Sequence, residues 1–172
     1  SIPFYGKVFI NGDDKNSVKL LAKINRAVCT FGLNKKNNIT AKSIKYIDGK
    51  KMQFDIIFSK RTYKVCTNLL GKHNVYNILS AISVCLHLGI SITDSIKSLN
   101  SFFGARRRFD VYEDIYINEY KPIIIDDYGH HPTEIHSTLD TINKLYPSKK
   151  IVMIFQPHRF SRTKAYWRLF LD

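Results

Sequence analysis

Two stretches of this chain carry side chains able to grip an anion and to donate or accept a proton. The first reads Ile123-Ile124-Ile125-Asp126-Asp127-Tyr128-Gly129-His130-His131-Pro132-Thr133-Glu134. The second reads Ile151-Val152-Met153-Ile154-Phe155-Gln156-Pro157-His158-Arg159-Phe160-Ser161-Arg162-Thr163. Each is an apolar run, rich in β-branched residues, that ends abruptly in polar, ionisable residues and leads into a helical pattern. In open α/β sheets, ligands bind in the loops at the carboxyl ends of strands. One loop brings carboxylates and imidazoles, the other imidazole and guanidinium, and both are expected to line one crevice. That set suits a phosphorylated, carboxylate-bearing substrate, and hence an enzyme.

The elements that must position these loops follow from periodicity. Pro122–Asp127 reads as a buried strand because its apolar run is continuous. Pro132 needs no backbone donor at the first position of a helix, and Ile135, Leu139 and Ile142 form its sheet-facing stripe. Lys150–Phe155 is predicted as the next strand, with a helix opening near Thr163. This β-α-β-α order implies parallel strands and right-handed crossovers. Upstream, Phe109–Glu113 and Ile115–Asn118 are predicted as two short strands.

The first part of the chain has another character. Lys7–Asn11 and Ala27–Phe31 are strand candidates, and Asn16–Ile24 a short amphipathic helix between them. Lys35-Lys36-Asn37-Asn38 reads as an exposed loop. Ile39–Ile47, Lys51–Phe58 and Thr62–Thr67 read as a β-meander. The Asp48-Gly49 step is a hairpin signal, since both central residues of a type I′ turn need positive φ. From His73 to Leu88 the apolar residues take helical spacing, and Gly89 supplies a stop. A second helix, Asp94 to about Phe102, is expected to be capped by the Thr93 hydroxyl. Gly104-Ala105-Arg106-Arg107-Arg108 is a plausible hinge, which places the expected domain boundary between residues 104 and 105.

Composition narrows the function classes. The chain has 172 residues, 44% of them hydrophobic, enough for a packed core of one ordinary or two small domains. Its longest apolar stretch, Val75 to Ile92, is interrupted by Tyr76, Asn77, Ser80, Ser83 and His87, which argues against a membrane span. No secretory signal pattern opens the sequence, and the chain reads as an excerpt of something longer. Cys29, Cys66 and Cys85 lack metal or disulfide spacing, and suggest reduced thiols in a cytoplasmic protein. Lys+Arg 27 against Asp+Glu 14 gives a net charge of +13, which keeps a basic nucleic-acid-binding domain as an alternative. The lysines are scattered, however, and only Arg106-Arg107-Arg108 is compact, so no nucleic-acid partner is expected.

At these residues the sequence resembles the Mur ligases. The resemblance rests on Gly71-Lys72-His73-Asn74-Val75-Tyr76-Asn77, Gly104 through Phe109, Asp126 through Glu134, and Phe155 through Thr163, in that order. Pro3-Phe4-Tyr5-Gly6 and Thr30-Phe31-Gly32 also resemble the central domain of that family. It implies an α/β fold: the latter part of a central ATPase domain (1–104), then the first part of a Rossmann-like C-terminal domain (105–172). It further implies ATP-dependent joining of L-alanine to the lactyl carboxyl of UDP-N-acetylmuramate through an acyl phosphate, with Mg2+ assisting, in peptidoglycan precursor synthesis. No G-x-x-x-x-G-K-[ST] phosphate loop occurs in the sequence, so these residues alone are expected to be inactive; a non-catalytic remnant remains an alternative.

The resemblance carries roles to particular positions. Asn74 and, less directly, Asn77 would contact ATP, their amides offering donor and acceptor together; helix N-terminal capping is the other reading. Arg108 would reach the nucleotide with its planar fork, against the alternative of a solvated basic turn. Asp127 would accept from the ATP ribose, with Asp126 structural. Tyr128 and His130 would face the reacting carboxyl and phosphate, His130 as the catalytic contact, while His131 caps the Pro132 helix. His158 and Arg162 would bind substrate, Arg162 clamping the alanine carboxylate. Zinc on His130, His131, His136 and His158 is a weaker alternative because ligand spacing is lacking, and no residue here is expected to be a metal ligand.

Overall fold

The computed structural model describes residues 3–170. The chain forms two compact units, Ser1–Phe103 and Gly104–Asp172. In the first, β1 (Lys7–Asn11), β2 (Ala27–Gly32), β3 (Ile39–Ile47), β4 (Lys51–Phe58) and β5 (Arg61–Thr67) form one sheet in that order. β1, β2 and β3 run parallel, while β3, β4 and β5 form an antiparallel meander. A parallel neighbour normally needs a crossover of a dozen residues. Residues 33–38 suffice between β2 and β3 because the two strands overlap only at Phe31–Ile39 and Gly32–Thr40.

Period-2 alternation puts Ile39 and Ala41 of β3, Met52, Phe54 and Ile56 of β4, and Val65 and Thr67 of β5 in the interior. α2 (Lys72–His87) covers this core with Val75, Ile78, Leu79 and Ile82, the helical stripe expected from sequence. Asp48 (φ 51°) and Gly49 (φ 65°) both take the left-handed conformation required of their hairpin turn. The turn at Ser59 and Lys60 does the same without glycine.

Two of the helices expected in this unit depart from expectation. The segment expected as Asn16–Ile24 is α1 (Lys15–Leu20) followed by a 3₁₀ turn, Leu21–Lys23, with Asp14 as cap. α3 spans Ile92–Leu99 rather than Asp94 to about Phe102, and Ser91, not Thr93, caps it by accepting from the Asp94 amide. The earlier cap brings Ile92 into the helix and buries it, and that burial favours the longer N-terminus.

The second unit holds β6 (Asp110–Tyr112), β7 (Ile124–Asp126), α4 (Pro132–Leu145), α5 (Phe160–Ala165) and a final 3₁₀ turn, Trp167–Phe170. β6 pairs antiparallel with β7. The strand expected over Ile115–Asn118 is reduced to one bridge, Ile117 to Tyr120. The strand expected over Lys150–Phe155 is absent, and with it the second parallel partner. Those residues instead form one wall of a cleft of about 660 Å³, facing Ile124 and Ile125 of β7, Ile123 just before it, and Ile135, Leu139 and Ile142 of α4. A strand is defined by its ladder as much as by its side chains, and across that gap no ladder forms. α5 opens at Phe160, three residues before the expected start.

Candidate active site

In the second unit the C-terminal end of β7 turns through Tyr128, Gly129 and His130 into the first turn of α4. Both oxygens of Asp127 serve this turn: Oδ1 accepts from the Gly129 amide at 2.6 Å and Oδ2 from the Phe109 amide at 3.0 Å. A Cβ on Gly129 would lie 2.6 Å from Asp127 Oδ1, so the close approach requires glycine. Asp126, on the opposite face of the strand, faces the Arg107 guanidinium at 3.5 Å.

The arginine loop is held against this turn. Arg107 (φ 59°) and Phe109 (φ 63°) both take the left-handed region, which costs a non-glycine residue roughly 1–2 kcal/mol each. Hydrogen bonds to their backbone hold them there: the Arg107 amide donates to Asp110 Oδ2 at 2.7 Å, the Arg107 carbonyl accepts from the Tyr128 amide at 2.7 Å, and the Phe109 amide donates to Asp127 as above. The Arg107 and Arg108 guanidinium carbons stand 5.5 and 5.8 Å from the Tyr128 ring centroid, within cation–π range.

His130 and His131 are opposite in tautomer. His130 Nδ1 lies 3.0 Å from the Tyr128 carbonyl, which can only accept, so that nitrogen carries the proton and Nε2 is left for a ligand. His131 Nδ1 instead accepts from the Thr133 amide at 3.2 Å, capping α4 as expected, so this ring must be neutral for the cap to hold. Glu134 completes the cap, its Oε2 accepting from the amides of both His130 and His131 at 3.1 Å. Burial pushes the Glu134 carboxyl up, but those two amides, then the electrostatic influence of the neighbouring His130 and Arg108, outweigh it and hold it below its ordinary value.

The second loop meets the first at two points. The His158 ring centroid is 5.7 Å from that of His130, and the Tyr166 ring, at the end of α5, is 4.6 Å from His131. Arg162 lies between His158 and Tyr166 in sequence, on α5. Its Nη1 is buried without a hydrogen-bond partner. A buried guanidinium nitrogen in that state is costly unless an anion completes it. Tyr128, His130, His158 and the Arg162 helix therefore belong to one locality, with Arg108 and Asp127 beside it. Arg159, with φ 67°, is the N-terminal cap position of α5 and makes no side-chain capping bond there.

Asn74 and Asn77 lie in the first unit, on one face of α2. Asn77 Nδ2 donates to Asn74 Oδ1 at 3.1 Å, and Asn74 Nδ2 donates to the Leu70 carbonyl at 2.7 Å. Both therefore have local partners, and the amide of Asn77 is exposed. Sequence reasoning assigned no role to the carboxylate node near them. Asp13, just past β1, accepts from the Leu33 amide at 2.5 Å, the Asn34 amide at 3.2 Å, Asn37 Nδ2 at 2.9 Å and the Tyr76 hydroxyl at 3.0 Å. Burial raises the Asp13 pKa, but the four donors together carry it below its ordinary value. Burial first and the Asp13 carboxylate second push the Tyr76 phenol up to about 12. Glu134 was likewise unassigned, although its place three residues after the cap is a capping-box signal. Among the described residues no group of three or more His, Cys, Asp or Glu is placed to hold a metal ion. No helix of the described residues is long and apolar enough to cross a membrane.

Two family profiles match in succession: "Mur ligase middle domain" over residues 1–85, and "Mur ligase, glutamate ligase domain" over residues 107–170. With the mixed α/β fold, they show that the chain belongs to the Mur ligase family. Within the family it is similar to the UDP-N-acetylmuramate–L-alanine ligase of Vesicomyosocius okutanii, 42% identical over 165 residues, which are 95% of this chain and 35% of that one. It also superposes on the UDP-N-acetylmuramate–alanine ligase of Thermotoga maritima with a TM-score of 0.64 at 32% identity, covering 80% of this chain and 31% of the other. A MurF ligase from the same organism, solved in complex with ADP, shares the fold at 19% identity and a TM-score of 0.67, covering 82% of this chain and 31% of that one. The chain thus spans about a third of the length of the relatives it matches.

Proposed function

We propose that these residues serve an ATP-dependent ligase that joins L-alanine to UDP-N-acetylmuramate, within a polypeptide carrying the further domains its relatives have. The observation that carries this reading is the buried, unpartnered Nη1 of Arg162, set in a chain whose flanking rings His158 and Tyr166 touch the His130–His131 turn. A guanidinium so placed is the natural clamp for the carboxylate of an amino acid.

The chemistry requires a carboxyl group activated as an acyl phosphate and an amine brought to it. In the second unit, Arg108 and Asp127 are the proposed nucleotide contacts. Asp127 already accepts two backbone amides, yet each carboxylate oxygen retains a lone pair for a ribose hydroxyl. His130, with its Nε2 open, is the proposed contact to the reacting carboxyl and phosphate, with Tyr128 and His158 beside it. In the first unit, Asn74 and Asn77 are the proposed adenine contacts. ATP supplies the phosphoryl group. Positioning and preorganised charge then account for rate, with no protein nucleophile.

Arg162→Ala in the full-length protein tests the reading. Loss of the clamp is expected to lower kcat/KM for L-alanine by about 2–4 kcal/mol of transition-state stabilisation, by analogy with lost oxyanion donors. The KM for UDP-N-acetylmuramate should stay near wild type. Unchanged alanine kinetics in a phosphate-release assay would overturn the assignment.

A further inference from the structure

Glu134 has a reach that helix capping does not require. Its Oε2 accepts from the amides of His130 and His131, whereas a cap needs only the second of these. Its Oε1 faces Arg108 Nη1 at 3.7 Å. Arg108 stands between two residues in the left-handed conformation, Arg107 and Phe109, whose amides are held by Asp110 and Asp127. Those bonds fix the backbone but leave a long, half-exposed side chain to choose among rotamers. The Tyr128 ring, 5.8 Å from the guanidinium carbon, and the Glu134 carboxylate make that choice.

We propose that Glu134 is a positioning residue, one oxygen fixing the backbone that presents His130 and the other fixing the direction of the Arg108 guanidinium. The inference rests on the reading of Arg108 and His130 as nucleotide and acyl contacts given above. A single carboxylate then sets the spacing between the group that holds the nucleotide and the imidazole that meets the reacting oxygen. A reaction governed by alignment has use for such a strut, because small displacements of a contact slow it strongly. The lowered pKa of Glu134 keeps it ionised through the neutral range, as both of its contacts need.

Glutamine and alanine separate this role from capping. Glu134→Gln keeps an oxygen for the two amides and removes the charge facing Arg108, whereas Glu134→Ala removes both. In the full-length protein, Glu134→Gln is expected to keep the thermal stability and the slow amide exchange of His130 and His131. It should raise the nucleotide KM about two- to fivefold, the scale of a half-exposed ion pair, with the alanine KM unchanged. Glu134→Ala is expected to speed exchange of those two amides by about tenfold or more, the scale of a lost charge-assisted hydrogen bond, and to raise both KM values. Arg108→Ala is the control. If it raises the nucleotide KM while Glu134→Gln does not, Glu134 is only a cap and the proposal is overturned. If Arg108→Ala leaves the nucleotide KM unchanged, the nucleotide assignment of Arg108 fails instead. The proposal is then decided by the Arg108 Nε–H resonance, whose insensitivity to Glu134→Gln would overturn it.

Discussion

Asp13→Asn should destabilise the first unit far more than its place in a surface turn suggests. The carboxylate accepts from four donors: the amides of Leu33 and Asn34, the side-chain amide of Asn37, and the Tyr76 hydroxyl. It thereby ties the end of β1 to the β2–β3 connection and to α2. Gly32 leaves room for this approach, since a Cβ there would lie 2.6 Å from Asp13 Oδ2. Asparagine retains one accepting oxygen and turns an NH₂ group toward the remaining donors. Asn34 is exposed, and water can replace its partner. The Leu33 amide and the Tyr76 hydroxyl are half-buried and lose more. Charge-assisted hydrogen bonds contribute about 1.5–3 kcal/mol each, so a loss of about 2–4 kcal/mol is expected, against about 1 kcal/mol for Tyr76→Phe.

The acid dependence carries the same argument. The folded Asp13 pKa lies below its ordinary value of 3.8, so its stabilisation is present in full above that value and disappears as pH falls through the lower, folded one. The gap between wild type and Asp13→Asn should therefore be constant from neutrality down to well above 3.8 and close as pH falls below it. Urea unfolding, with residue-resolved amide exchange on β1 and β2 to locate the loss, measures both. A variant within about 0.5 kcal/mol of wild type at neutral pH, which is the size of an ordinary surface substitution, refutes the reasoning. So does a gap that persists undiminished in acid.

Gly129→Ala should push the Asp127 carboxylate off the Gly129 and Phe109 amides, because the added Cβ would lie 2.6 Å from Oδ1. A loss of about 1–3 kcal/mol from the second unit is expected, with faster exchange at Phe109 and Gly129; unchanged exchange would contradict it. The chain should also self-associate, since Val152, Ile154 and Phe160 are 77%, 97% and 98% exposed and residues 151–155 wall an apolar cleft. Val152→Lys with Ile154→Lys should shift its sedimentation toward monomer, and concentration-independent sedimentation of the unaltered chain would count against the argument.

The two units differ in how far their sequence could be read. β1, β3 and β4 have the bounds expected from pattern because each alternates or runs apolar between unmistakable turns, and because their partners lie next to them in sequence. Residues 151–155 have an equally strong apolar pattern but no neighbour to form a ladder with, and pattern cannot supply one. Ser91 and Thr93 offer the same hydroxyl two residues apart, and only the burial of Ile92 decides between them.

The candidate site was legible in its side-chain chemistry and illegible in its scaffolding. Tyr128, His130, His158 and Arg162 announce themselves because imidazole and guanidinium at the ends of apolar runs are chemically conspicuous. Asp13 and Glu134 do not, and the ties Asp127 makes within the site are as hidden, because their partners are chiefly backbone amides. Every residue but proline has such an amide, so a sequence gives no sign of which are left unpaired until the chain has turned. The same reason explains why two adjacent histidines take opposite tautomers: one ring meets a carbonyl and the other an amide. Residues proposed to act on substrate are thus marked by type, whereas residues that act on the backbone are marked only by geometry. In this chain the second kind holds the first in place.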